Sequence, residues 1–236
     1  MLIPKQHGAW AMLFIPFTLS MLAGGSTFWH IPLFIGWLFL YLATYPLSML
    51  MRKKKKKNYQ KWAIIYSAIA LLCLLPLLFA QAKLLYFGLA MIPFFFINMY
   101  FAKQNKERAF TNDVIAIFVF CLGGLASYFL GANALTKEAW ILFIYSFIYF
   151  LGVTFYVKAM IREKKNMKYK YFSWGYHLLL PFIALSLGAG WGTVGYVPSV
   201  FRAWYLYGKK VTIMQVGVIE IINSILFFIF MVIFVV

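Results

Sequence analysis

The stretch TIMQVGVIEIINSILFFIFMVIFV, residues 212–235, decides the fold. It contains no Lys or Arg and a single acid, Glu220. A helix needs about 20 apolar residues to cross about 30 Å of hydrocarbon, and this run supplies them. A helix apolar on every face has no side to turn to water, so it belongs in a bilayer or a deep core. Comparable runs lie at 8–26, 30–51, 61–82, 84–102, 113–131, 139–160, 172–190 and 192–207. The reading is an all-α bundle of about nine transmembrane helices, forming one integral membrane domain over 1–236 with no soluble domain. The segment 192–207 is the weakest span, because it is short and holds Gly195, Pro198 and Arg202.

Composition supports the same class. Apolar residues make up 64% of the 236 and charged residues only 11%, with mean hydropathy +0.84. That leaves too little polar surface to cover a water-soluble globule. The net charge of +17 would suggest nucleic acid in a soluble protein. In a membrane protein the distribution of the cations matters more, because cytoplasmic loops collect Lys and Arg. Placing the N-terminus inside and the C-terminus outside leaves only Lys83 and Lys137 in outer segments. No nucleic-acid partner is expected. The membrane expected is the bacterial cell membrane, with lipid as the surrounding partner.

Few polar groups remain to carry chemistry. The run Arg52–Lys57 reads as a topology signal facing anionic lipid. In the loop before the fifth helix stand Glu107, Arg108, Thr111, Asn112 and Asp113. The last three read as an N-cap, or else Asn112 and Asp113 read as hard oxygen ligands suited to Mg²⁺. Lys158, Arg162 and Lys165 share the spacing of one helical face. They would either snorkel outward or hold an anion. His177 would lie about one turn into the next helix. Glu220 lies roughly 12 Å along its helix at about 1.5 Å per residue. An intramembrane carboxylate is costly and faces inward, with Arg202 or a Lys near that side as its expected partner and Asn223 beside it at i+3. Cys73 and Cys121 lack metal-ligand spacing, and the three histidines, His7, His30 and His177, do not cluster.

The segments Pro4-Lys5-Gln6-His7-Gly8-Ala9-Trp10-Ala11, Glu107-Arg108-Ala109-Phe110-Thr111-Asn112-Asp113 and Lys158-Ala-Met-Ile-Arg162-Glu163 resemble the YwiC-like family of bacterial membrane proteins. That resemblance covers essentially the whole chain and implies a multi-pass membrane fold without specifying an activity. The loop plan is also similar, more distantly, to UbiA-type prenyltransferases, which place polar loops after the second, fourth and sixth helices on one face. This second resemblance implies an isoprenoid diphosphate or other lipid phosphate bound at a cationic cavity. Arg108, Lys158 and Arg162 would hold the phosphate. Asp113 and Glu163 would share Mg²⁺, and Asp113 and His177 would carry the catalysis, His177 by orienting an acceptor. The sequence departs from the N-D-x-x-D pattern of that family, since Asn112-Asp113 follows the fourth helix and Ala116 replaces the second acid. The alternative is a non-enzymatic membrane protein, either a transporter or a quinone- or haem-associated accessory protein. Convergence of polar groups on Glu220 at mid-depth would favour that alternative.

Overall fold

A computed structural model describes residues 2–4, 7–52 and 57–236, and of His7 the backbone alone. Lys5, the His7 side chain and most of the Arg52–Lys57 run therefore lie outside what is described. Among the described residues there are nine α-helices. They are α1 (His7–Gly24), α2 (His30–Met51), α3 (Lys57–Ala80), α4 (Leu84–Lys103), α5 (Phe110–Ala132), α6 (Lys137–Val157), α7 (Met167–Ser186), α8 (Val197–Tyr205) and α9 (Ile213–Phe234).

Several helices begin earlier than their apolar runs. α3 starts at Lys57, α5 at Phe110 and α7 at Met167. Hydropathy marks where lipid begins, whereas a helix continues wherever its backbone bonds can be completed. For α7 the Asn166 side chain supplies the start, accepting from the Lys168 amide at 3.1 Å. For α9 a reciprocal capping box joins Thr212 and Gln215.

Six helical segments are long and apolar enough to cross a membrane: α2, α3, α4, α5, α6 extended to Arg162, and α9. This is a multi-pass membrane protein. α1 is apolar but shorter, and α7 opens with Lys168 and Lys170. The uncertain segment 192–207 is a 3₁₀-helix, Gly190–Tyr196, running straight into α8. It lies antiparallel to α9 along most of its length. Gly192 abuts Val235, Gly195 abuts Phe230, Ser199 bonds Asn223, and Arg202 pairs with Glu220. The segment therefore passes through the bundle and does not turn back.

Helices α1 and α5 cross at the centre, and small residues set how closely. A Cβ on Gly124 would stand 2.8 Å from the Pro16 carbonyl, and one on Gly24 would stand 2.6 Å from that of Tyr128. Without a hydrophobic drive between helices in lipid, such close backbone approach is what van der Waals packing requires. Polar bonds fasten the same crossing. Ser127 donates to the Phe17 carbonyl at 3.0 Å, and the His30 ring reaches the Ser127 carbonyl at 2.9 Å. His30 is thus a structural tie between α2 and α5.

The two ends of the bundle differ in charge. The starts of α3, α5 and α7 and the ends of α2, α4, α6 and α8 carry nearly all the described cations. The opposite end holds the α1–α2, α3–α4, α5–α6 and α7–α8 connections, where Gln81 donates to Asn133 at 2.8 Å and Tyr128 to Glu138 at 3.0 Å.

Candidate functional site: a basic end and a buried charge network

Two polar clusters emerge. The first sits at the basic end, where α5 begins and α6 finishes. α6 does not stop at Val157 but widens into a π-helical turn, Lys158–Arg162, closed by the Glu163 amide bonding to the Lys158 carbonyl at 2.7 Å. Such turns are rare and recur at functional sites. The wider turn brings positions four apart closer into line than an α-turn does. Lys158 and Arg162 accordingly meet the same oxygen of Asp113, at 3.0 and 3.5 Å. Lys158 also donates to the Arg108 carbonyl at 2.8 Å. Nearby, Arg52 pairs with Glu107 and donates to the Ala102 carbonyl at 3.3 Å, tying α2 to the α4–α5 loop. An open cavity of about 460 Å³ adjoins this cluster, lined by Ile161, Arg162, Glu163, Lys164, Lys165 and Asn166.

Three expectations change here. Thr111, Asn112 and Asp113 are not an N-cap. α5 begins at Phe110 with Ala109 as its cap, so all three lie in the first turn. Asn112 instead donates to the Glu107 carbonyl at 2.9 Å and holds the loop against the helix. Lys158 does not snorkel outward, because it is buried against Asp113. Lys165 does not extend the Lys158–Arg162 face, because the helix has ended at Glu163.

The second cluster lies deeper. Arg202 of α8 donates through Nη1 to Glu220 of α9, and both side chains are buried. Its Nη2 lies 3.2 Å from Nε2 of His177, whose Nδ1 lies 2.6 Å from the Ser173 carbonyl. This assigns the tautomer. Nδ1 carries the proton and donates to Ser173, while Nε2 accepts from Arg202, so the ring is neutral. The guanidinium also rests over the Tyr156 ring at 4.2 Å. One turn deeper, Asn223 donates to the Tyr149 hydroxyl at 2.6 Å and to Ser199 at 2.8 Å. The Tyr149 hydroxyl in turn lies 3.3 Å from Ser224.

His177 belongs to this deeper cluster. Because α7 starts at Met167, the ring sits about 15 Å along its helix, at about 1.5 Å per residue, and not one turn in. Its ring partners are Arg202 and Ser173, whereas Asp113 binds Lys158 and Arg162. The structure thus separates Asp113 from His177, two residues the distant resemblance joins in one role. Glu220 faces the interior, paired with Arg202, and Asn223 is buried beside it.

A family model described as YwiC-like protein matches residues 3–128. The Bacillus subtilis (strain 168) protein YwiC is 48% identical over 234 residues, covering 99% of this chain and 98% of that one. The chain belongs to the YwiC-like family. An uncharacterized Haemophilus influenzae protein is 39% identical over 229 residues, covering 97% of this chain and 96% of its own length. No solved structure matches. The matched family region carries α1 to most of α5. Lys158, His177, Arg202 and Glu220 of this YwiC-like chain lie beyond it, within the full-length likeness to YwiC.

In the YwiC-like chain the carboxylates of Asp113 and Glu163 already have protein partners. Oδ2 of Asp113 is held by two cations, and Oε2 of Glu163 accepts from Asn166 at 3.1 Å. Among the described residues no three His, Cys, Asp or Glu side chains gather to hold a metal.

Sequence reading overlooked Tyr156, Tyr149, Ser199, Ser224 and Ser173, whose polar atoms look like ordinary helix content until the helices pack. Gly152 was overlooked too. A Cβ there would stand 3.1 Å from the Tyr176 ring and 3.3 Å from Nε2 of His177. Its lack of a side chain leaves room for the ring that Arg202 meets. The one available signal was the spacing of Tyr145, Tyr149 and Tyr156, which places three hydroxyls on one face of an apolar helix.

Proposed function

We propose that this YwiC-like protein binds a lipid phosphate at its basic end, in the bacterial cytoplasmic membrane, with the N-terminus inside and the C-terminus outside. The carrying observation is the convergence of Lys158 and Arg162 on one carboxylate beside an open basic cavity. Asp113 positions the two cations, and Arg162 stands at the cavity wall, where its planar fork suits a phosphate. Arg108 adds charge from the α4–α5 loop. An isoprenoid diphosphate is the ligand this reading favours. Prenyl transfer is not required by this reading.

The test is ³¹P-detected or calorimetric binding of geranylgeranyl diphosphate to purified protein in phosphatidylcholine nanodiscs. Inorganic phosphate and phosphatidylglycerol serve as separate arms. Arg162→Ala is expected to weaken diphosphate binding by about tenfold, the worth of one charge-assisted pair. Unchanged affinity in that variant, or no binding by the parent, overturns the reading.

A second reading is favoured by the Arg202–Glu220–His177 network. This is a non-enzymatic membrane protein, such as a transporter, organised around a charge pair inside the bundle. Buried charges are expensive in lipid and mark ligand or ion pathways. Haem ligation by His177 is disfavoured, because both ring nitrogens already have partners.

A further inference from the structure

Helices α8 and α9 part beside the buried charge pair. Pro198, Arg202, Ile219, Ile222, Asn223 and Leu226 line an open cavity of about 180 Å³ between them. Four of these six are apolar, and Phe201, Ile222, Ile225 and Leu226 around it are exposed. In a membrane protein such a rim faces acyl chains, so the mouth opens sideways into the bilayer.

The two polar residues in the wall are 6% and 4% exposed, Arg202 and Asn223 respectively. Nη1 of Arg202 serves Glu220 and Nη2 serves His177, while its buried Nε has no partner. A buried N–H without a partner incurs its full desolvation penalty. The positive charge, by contrast, is already matched by Glu220. An anion entering here would compete with that carboxylate in a low dielectric. A neutral acceptor satisfies Nε–H and leaves the pair intact.

We propose that the α8–α9 cleft is a lateral binding site for an uncharged, lipid-soluble carbonyl compound of the quinone class. One carbonyl oxygen accepts from Nε of Arg202, and the ring lies among Ile219, Ile222 and Leu226. The proposal deepens the second reading above and is independent of the lipid-phosphate site, since ligand charge, depth and residues all differ.

The experiment uses the full chain in phosphatidylcholine nanodiscs with an azido-quinone photoprobe, mapping the labelled peptides by mass spectrometry. Menadione, decanoate and geranylgeranyl diphosphate are the competitors. Labelling is expected within 198–226, displaced by menadione and not by the other two. Ile222→Trp, which fills the cleft from its exposed rim, is expected to reduce labelling by about tenfold, equivalent to the loss of one good contact set. Leu226→Phe is the second filling variant, used if the first fails to fold. Arg162→Ala is expected to leave labelling unchanged while weakening diphosphate binding by about tenfold, so the two sites fail separately. Labelling spread over the lipid-facing helices, labelling undiminished in the folded filling variant, or equal displacement by decanoate overturns the proposal.

Discussion

Arg202 of α8 and Glu220 of α9 form a buried ion pair within the bundle, and the neutral ring of His177 accepts from the same guanidinium. Removing water from two charges is costly, and the pair offsets that cost only while both members are present. Arg202→Met is therefore expected to lower stability by about 3–5 kcal/mol, and Glu220→Leu by a similar amount. The double variant Arg202→Met with Glu220→Leu should recover much of the loss, because no unpaired charge remains. Thermal unfolding in detergent, run as a double-mutant cycle, measures this. Additive losses would remove the coupling.

Among the described residues the basic end holds three ion pairs, two of them on Asp113. Lys158 is buried against Asp113, whereas Arg52, the partner of Glu107, is partly exposed. Asp113→Asn is expected to cost about 1–3 kcal/mol by leaving the Lys158 ammonium short of its acceptor. Glu107→Gln should cost no more than about 1 kcal/mol and lose its effect as salt rises. Denaturant unfolding at two ionic strengths separates them. A larger loss at Glu107 would reverse the assignment.

Gly131 faces the backbone of Gly24 and Gly25 where α5 meets the end of α1. Gly131→Val is expected to lower stability by at least about 1–3 kcal/mol, the usual cost of overpacking, because backbone cannot move aside as a side chain can. Gly175 faces open space, so Gly175→Ala on α7 should raise stability by about 0.5–1 kcal/mol through helix propensity. Melting temperatures of the two variants should shift in opposite directions.

Sidedness is expected to follow the cation distribution. In a Cys73→Ser, Cys121→Ser background, Lys106→Cys should resist a membrane-impermeant maleimide in intact cells, and Lys83→Cys should react. Labelling in the reverse pattern would invert the orientation.

The helices were legible because lipid burial is written residue by residue. The runs at 30–51, 84–102 and 212–235 reappear as α2, α4 and α9 with little change. The α3, α5 and α7 starts were misplaced because polar residues extend a helix that apolar counting ends. Among the site residues, Arg202 was legible as the partner of Glu220, since so few acids exist to be paired. The fate of Lys158 was not. A lysine at a helix end reads as snorkelling until Asp113 of another helix is brought against it.

The sequence alone determined the class of this protein, an all-helical membrane bundle with one strongly basic end, because hydropathy and charge are properties of each residue where it stands. The tertiary structure alone decided the rest. It put Lys158 and Arg162 on Asp113, moved His177 away from Asp113 to Arg202, and opened a cleft between α8 and α9. A hydrogen bond between helices depends on the rotation and depth of two segments about their axes. Those are set by packing, at positions such as Gly124 and Gly152, whose meaning lies in what they allow to come close.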